Sequence, residues 1–376
     1  MFQILVIDDD HAVQLLLTRI LEKQGYQVVI ASNGEDGIAK ALASHPALII
    51  CDWMMPTLDG LEVCRYIKAD PRLSTTFFIL LTSLGSVAAR VKGLDAGADD
   101  FISKPIEQNE LTARVRAGLR LHQLSRDLQT QKQMLETELG EAAEYMRSLL
   151  PLPMTEPLTI NSRFIPSRQL GGDCFDYYWL DPDYLAIYLL DTAGHGLKAA
   201  LPSISVLNIL RSRALKSINY YQPCDVLTAL NDTFQMTYEN DKYFTIWYGV
   251  YNRVKRQLIY SCAGHPPAVL LSGTHRNTQI NLLKNPGMPV GMFPDAKYVN
   301  AVCQIEELST LYIFSDGVYE ITQLDGTLWS LDAFIETLNK LQYSVDSHLD
   351  HLLNHLMQLN CKDVFDDDLS ILQVKF

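Results

Sequence analysis

Asp8, Asp9 and Asp52, with Thr82 and Lys104, form one set of residues whose types could serve phosphate chemistry. Asp173, Asp191, Asp316 and Asp367 form a second set far along the chain. Each aspartate ends an apolar run or sits in a tight glycine turn. Carboxylates from separate strand ends can converge on one hard cation, which prefers oxygen ligands. The first set has what accepting a phosphoryl group requires: Asp52 as nucleophile, Asp8 and Asp9 to hold a magnesium ion, Lys104 for positive charge and Thr82 for a hydroxyl. The second has what hydrolysing one requires. Four carboxylates at element ends suit two metals bridged by one carboxylate and a water, a pair that lowers the water pKa and clamps an in-line displacement at phosphorus. No cysteine or serine nucleophile is needed.

The elements that must position the first set lie in residues 1–120. Ile4–Ile7, Val28–Ile30, Leu48–Cys51, Phe77–Leu81 and Phe101–Ile102 are expected strands, with amphipathic helices such as Ala12–Gln24 and Glu35–Ser44 between them. Near-continuous apolar strands alternating with helices imply an α/β doubly wound parallel five-stranded sheet covered on both faces. Ligands of such sheets bind at the carboxyl ends of the strands, where Asp8, Asp9, Asp52 and Thr82 all fall.

Residues from about 106 to 150 are expected to form one long helix or two nearly continuous ones. Leu121, Leu128, Leu135, Ala142 and Leu149 recur every seven residues, while a companion stripe begins at Leu124, fails at Gln131 and returns at Leu139 and Met146. This drift fits an irregular coiled coil, and it equally fits a helix packed on its own domains. Pro151, Pro153 and Pro157 stop the helix. Beyond them, Thr159–Pro166, Tyr184–Asp191, Phe244–Asn252, Gln257–Ser261, Ala268–Leu271, Leu311–Ser315 and Ser370–Val374 are expected strands. Helices are expected at Leu197–Ser217, at Asp225–Tyr238 and as a pair near 331–359. Strand blocks with inserted helices imply an α/β two-sheet sandwich flanked by helices. The expected organisation is 1–120, a helical linker at 121–150, and 151–376.

Taken singly, these motifs are ordinary. Asp-Gly is a frequent turn, and Asp366-Asp367-Asp368 alone would be a solvated acidic loop. The combinations carry the argument. Val-Ile-Asp-Asp at 6–9, Asp-Trp-Met-Met-Pro-Thr-Leu-Asp-Gly at 52–60, Leu-Leu-Thr-Ser at 80–83 and Lys-Pro at 104–105 resemble the receiver domain of two-component response regulators. That resemblance implies magnesium at Asp8, Asp9 and Asp52, phosphorylation of Asp52 by a cognate histidine kinase, and a switch through Thr82, Lys104 and an aromatic position. The aromatic is Phe101 here; it can rotate inward but lacks the hydroxyl of the tyrosine many receivers carry.

Gly171-Gly172-Asp173, Asp191-Thr192-Ala193-Gly194-His195-Gly196, Ser315-Asp316-Gly317 and Asp366-Asp367-Asp368-Leu369-Ser370 occur in that order. With Cys262-Ala263-Gly264-His265-Pro266-Pro267 and Gly287-Met288-Pro289-Val290-Gly291, they resemble the metal-dependent serine/threonine phosphatases of the protein phosphatase 2C (PPM) superfamily, in the bacterial SpoIIE/RsbU-like branch. The likeness runs over about residues 145–376. It implies two manganese or magnesium ions, with Asp191 bridging both, the Thr192 carbonyl assisting, and Asp173, Asp316 and Asp367 completing the pair. Asp366 and Asp368 are then left to shape the loop. His195 has two roles open to it: protonating a leaving alkoxide, or serving as a turn residue between two glycines. His265 is expected to be a packed loop residue and not a ligand.

The bulk numbers bound the rest. The chain has 376 residues, a formal charge of −13 and 48% hydrophobic residues, as expected of a soluble two-domain protein. An acidic chain has no broad footprint for nucleic acid, so a DNA-binding regulator fits poorly. Seven widely spaced cysteines without a Cys-x-x-Cys pair argue against zinc and disulfides and for small buried residues in a reducing compartment. The N-terminus lacks signal-peptide character, and no apolar stretch is long enough to cross a membrane, so the cytoplasm is the expected location. The expected function is a response regulator, acting as a homodimer, whose phosphorylation at Asp52 controls a phosphoserine/phosphothreonine protein phosphatase. The resemblance implies a phosphorylated anti-sigma-factor antagonist as substrate. The competing expectation is a phosphorylation-controlled adaptor with an inactive phosphatase-like domain. The sign of control, the preferred metal, the dimer geometry and the identities of kinase and substrate are open at this level.

Overall fold

The computed structural model describes residues 2–83, 87–236, 242–274, 277–323, 326–341, 348–360, 362 and 364–376. It divides into two compact units, 1–136 and 137–376.

The first unit alternates β1 (Gln3–Ile7), α1 (His11–Lys23), β2 (Gln27–Ala31), α2 (Gly34–Ser44), β3 (Leu48–Asp52), α3 (Gly60–Ala69), β4 (Phe77–Thr82), α4 (Val87–Asp95) and β5 (Asp100–Ser103) before entering α5 (Gln108–Leu149). The strands form one parallel sheet in the order β2-β1-β3-β4-β5. Leu48 to Asp52 and Phe77 to Thr82 are buried throughout, as strands covered on both faces must be. Polar caps start three of the helices: Asp10 accepts from the Ala12 amide, Asn33 from Asp36, and Asp59 forms a reciprocal capping box with Glu62.

α5 runs unbroken for 42 residues. Its first turns belong to the first unit, where Leu111, Val115 and Leu119 join the core under β1, β3 and β4. Its last turns belong to the second, where Leu139, Ala142 and Met146 pack with Leu170, Ala200 and Ile204. Between them, Leu121, Leu124, Leu128 and Leu135 are exposed. The seven-residue stripe therefore divides: its first three leucines are solvent-facing, whereas Ala142 and Leu149 are half-buried on the second unit.

The second unit contains β6 (Thr159–Ile165), β7 (Cys174–Asp181), β8 (Tyr184–Thr192), α6 (Leu197–Arg211), α7 (Pro223–Thr233), β9 (Phe244–Asn252), β10 (Gln257–Ala263), β11 (Ala268–Thr274), β12 (Asn277–Leu283), β13 (Ala301–Gln304), β14 (Thr310–Phe314), α8 (Leu331–Leu341), α9 (His348–Leu359) and β15 (Leu369–Lys375). Two antiparallel sheets result, β13-β10-β9-β8-β7 and β12-β11-β14-β15-β6. Alternation along each strand sorts side chains into layers. Leu185, Ile187 and Leu189 of β8 meet Trp247, Leu311, Ile313 and Leu372 between the sheets. Ala186, Tyr188 and Leu190 face α6 and α7. Tyr312, Phe314 and Ile371 face α8 and α9 on the far side.

Some expected boundaries move. α6 stops at Arg211 and not Ser217, because the chain turns through Arg213 in a left-handed conformation (φ 52°). α7 starts earlier, with Pro223 at its first turn, and ends at Thr233; the chain then extends so that the Met236 amide bonds the Gly291 carbonyl. Tyr238, the expected end of that helix, lies outside the described residues. β7, β12 and β13 are additional strands. All six described cysteines are free thiols, and Cys51, Cys64, Cys174 and Cys262 are buried; Cys361 lies outside the described residues. No helix among the described residues is long and apolar enough to cross a membrane.

Candidate metal centres

In the first unit, parallel strands deliver their chemistry to one sheet edge. Asp8 follows β1, Asp52 ends β3, Thr82 ends β4, and Lys104 follows β5. Among the described residues, Asp8, Asp9 and Asp52 form the group whose ligand atoms all lie within 4.8 Å of one another. Asp8 is fully buried and Asp9 is exposed. Lys104 Nζ bridges Asp8 Oδ2 at 3.1 Å and Asp52 Oδ1 at 2.9 Å. Burial opposes the Lys104 charge, but the two carboxylates outweigh it and raise its pKa. Burial raises the Asp8 carboxyl against the pull of the Asp10 amide and Lys104. The loop carrying Asp52 is held by backbone: a Cβ on Gly60 would lie 2.3 Å from the Asp52 carbonyl oxygen. The Lys104 amide donates to the Thr82 carbonyl at 2.9 Å. Phe101 is half-buried, and a Cβ on Gly93 of α4 would lie 2.4 Å from its ring.

In the second unit the acids gather at one end of the sandwich. Asp191 is the penultimate residue of β8. Asp316 opens a 3-10 turn directly after β14, and Asp367 lies just before β15. Asp173 precedes β7 and is buried to 1% exposure. Three glycines permit the approach. A Cβ on Gly172 would lie 2.6 Å from the Thr192 carbonyl oxygen, one on Gly171 2.6 Å from the Asp368 carboxylate, and one on Gly317 2.2 Å from the Asp368 carbonyl oxygen. Asp368 fastens these turns together. Its carboxylate accepts from the Ser167 amide (2.8 Å), the Ser167 hydroxyl (3.0 Å) and the Gly172 amide (2.5 Å). Ser315 Oγ donates to the Asp368 carbonyl at 3.1 Å and accepts from the Ser370 amide at 3.0 Å. Ser203 of α6 donates to the Gly172 carbonyl and lies 2.8 Å from Thr192 Oγ1.

This cluster is electrostatically unfavourable as a set of bare carboxylates. Burial first, and the Asp191 charge next, push the Asp173 carboxyl far up. Burial, then the charges of Asp316 and Asp367, push Asp191 up to about 8. Asp316 and Asp367 are also raised, burial being the largest cause in each. Neither Asp173 oxygen forms a well-directed hydrogen bond, the Ser315 proton being given to the Asp368 carbonyl; Asp316 Oδ1 is buried and equally without a partner. Buried carboxylate oxygens without donors are rare in folded proteins. Divalent cations would satisfy them, so the donor set fits an oxygen-coordinated metal.

A family model described as "Stage II sporulation protein E (SpoIIE)" matches residues 181–376, and one for the response regulator receiver domain matches residues 4–116. The chain belongs to the SpoIIE family.

In solved structures, the second unit of this SpoIIE-family chain resembles the SiaA-PP2C domain of Pseudomonas aeruginosa. The TM-score is 0.57 at 19% identity, over 65% of this chain and 98% of that domain. The likeness is one of fold. Among curated proteins, the "DNA-binding dual master transcriptional regulator RpaA" of Synechocystis sp. is 42% identical over 118 residues, 31% of this chain and 49% of RpaA. The "Transcriptional regulatory protein ResD" of Bacillus subtilis is 44% identical over 118 residues, 31% of this chain and 48% of ResD. The chain spans about half the length of these curated relatives. It therefore joins a receiver domain to a SpoIIE-type domain of the PP2C fold.

Within that SpoIIE-type domain, His195 is exposed between Gly194 (φ 91°) and Gly196 (φ 76°), both left-handed. His265 is 1% exposed, and its Nδ1–H donates to the Pro266 carbonyl at 3.0 Å. Ser167 and Ser203 hold the turns around these acids without having been singled out from sequence. Ser315 stood in the sequence only as a member of its Ser-Asp-Gly motif, and Asp368 as one of three consecutive acids left to shape the loop.

Proposed function

We propose that this protein is a response regulator in which phosphorylation of Asp52 by a histidine kinase controls a metal-dependent protein phosphatase. The observation that supports the hydrolytic reading most is the buried carboxylate of Asp173, without a well-directed donor, beside Asp191, Asp316 and Asp367. Bound divalent metal, manganese or magnesium, would supply a lowered water pKa and charge neutralisation at phosphorus. Asp191 would bridge, with Asp173, Asp316, Asp367 and the Thr192 carbonyl completing the ligands. Asp368 and Ser315 hold the loops that present them. Water oxygen bonds to phosphorus as the bond to the serine or threonine oxygen breaks. His195, exposed between Gly194 and Gly196, would return a proton to the leaving alkoxide.

In the receiver, magnesium at Asp8, Asp9 and Asp52 would neutralise the incoming phosphoryl group. Lys104 would contact its oxygens, and Thr82 and Phe101 would carry the response. α5 is the element common to both units. Its last turns reach the catalytic unit through Met146 on Leu170, beside the Gly171-Gly172 turn, and through Arg211. That side chain bonds both the Leu149 carbonyl (2.9 Å) and the buried Asp176 (2.8 Å). The exposed leucines of α5 offer a seam for self-association as a homodimer. The substrate class is a phosphoserine or phosphothreonine protein, with a phosphorylated anti-sigma-factor antagonist favoured by the family.

Asp316→Asn tests the assignment. We expect it to abolish manganese-dependent release of phosphate from a phosphoserine protein while Asp52 is still phosphorylated by a small phosphodonor. Undiminished turnover would remove Asp316 from the metal site. Absence of turnover in the wild-type chain would favour the adaptor reading.

A further inference from the structure

The residue opposite Asp191, in register on β9, is Thr245. Opposed residues of an antiparallel pair project from the same face, with Cβ atoms about 4.5–5.5 Å apart. Here that face is the one between the sheets: Leu189, two residues before Asp191, and Trp247, two after Thr245, both lie in the inter-sheet core. Thr245 and Asp191 thus stand side by side where the inter-sheet layer opens onto the acidic cluster. Thr245 Oγ1 is buried and has no hydrogen-bond partner. A buried hydroxyl without a partner is costly, and valine would fill the same volume without that cost.

We infer that Thr245 is a positioning residue of the metal centre. Its hydroxyl accepts a hydrogen bond from water ligated to the cation at Asp191 and turns its own proton toward the Asp191 carboxylate. It orients both without being a ligand or exchanging a proton with substrate. Outer partners of this kind tune metal affinity by about tenfold to a hundredfold. The inference rests on the metal-dependent reading above.

The test is manganese binding to the full chain by calorimetry, in Thr245→Val, Thr245→Ser and Asp191→Asn, with thermal denaturation in chelator to verify folding. Thr245→Val should weaken manganese binding by at least about tenfold, and Thr245→Ser, which keeps the hydroxyl, should restore most of it. Thr245→Ala replaces the valine variant if that variant does not fold. Wild-type affinity in Thr245→Val would overturn the inference. So would equal losses in the valine and serine variants, because serine keeps the hydroxyl to which the effect is assigned. Asp191→Asn separates the two levels. If it binds manganese like wild type, the metal-site reading itself fails. If it loses binding while Thr245→Val does not, only the role of Thr245 fails.

Discussion

At the scale of single residues, the clustered acids make a pH-dependent prediction. Burial, then the charges of Asp316 and Asp367, raise Asp191 from 3.8 to about 8 in the metal-free fold. A carboxyl held above its unfolded value binds its proton more tightly when folded. Its contribution to stability is complete below the unfolded pKa and is lost as pH rises through the folded one. The metal-free protein should therefore melt at lower temperature at pH 8 than at pH 5, and the fall should be smaller in Asp191→Asn. Manganese takes the deprotonated carboxylates, so its stabilising effect should grow over the same range. Melting curves with chelator and with manganese would check both. A chelated wild type that melts higher at pH 8, with Asp191→Asn unchanged in slope, would contradict the account. The aspartates themselves were legible in the sequence because each ends an apolar run or sits in a glycine turn. The serines that fix them were not, and Asp368 showed only as a loop-shaping acid without its partners, since a serine's partner lies tens or hundreds of positions away: Ser167 meets Asp368 across 201 residues.

At the scale of elements, the glycine turns decide whether the carboxylates meet. Gly317→Ala would place a Cβ 2.2 Å from the Asp368 carbonyl oxygen, which is backbone and cannot swing aside. We expect a destabilisation of about 1–3 kcal/mol and loss of manganese binding, measured by denaturant unfolding and calorimetry. Gly140 is the counterexample. It lies inside α5, and an added Cβ meets nothing within 4 Å. Gly140→Ala should stabilise the protein by about 0.5–1 kcal/mol through helix propensity; a destabilised variant would place an unrecognised contact there. The parallel strands were readable because they are apolar throughout, and α5 because it contains no proline. β7 was not, because Asp176 interrupts its aromatic run; Asp176 is buried where Arg211 and the Tyr177 amide meet its carboxylate. β12 was missed because a partner strand on one side suffices for the polar sequence Asn-Thr-Gln-Ile-Asn.

At the scale of the whole molecule, a receiver domain and a SpoIIE-type domain are joined in one chain through α5. Asp52→Asn should leave basal phosphatase activity within about twofold of wild type and remove its response to phosphodonor, because Asp52 lies in the receiver and not among the acids of the SpoIIE-type domain. The most direct measurement is manganese-dependent dephosphorylation of a phosphoserine protein by the full chain, with and without the beryllofluoride mimic of phosphorylated Asp52. We predict metal-dependent turnover whose rate changes with the mimic in wild type and not in Asp52→Asn. Turnover indifferent to the mimic, or none in either state from a folded protein, would contradict a receiver-controlled phosphatase.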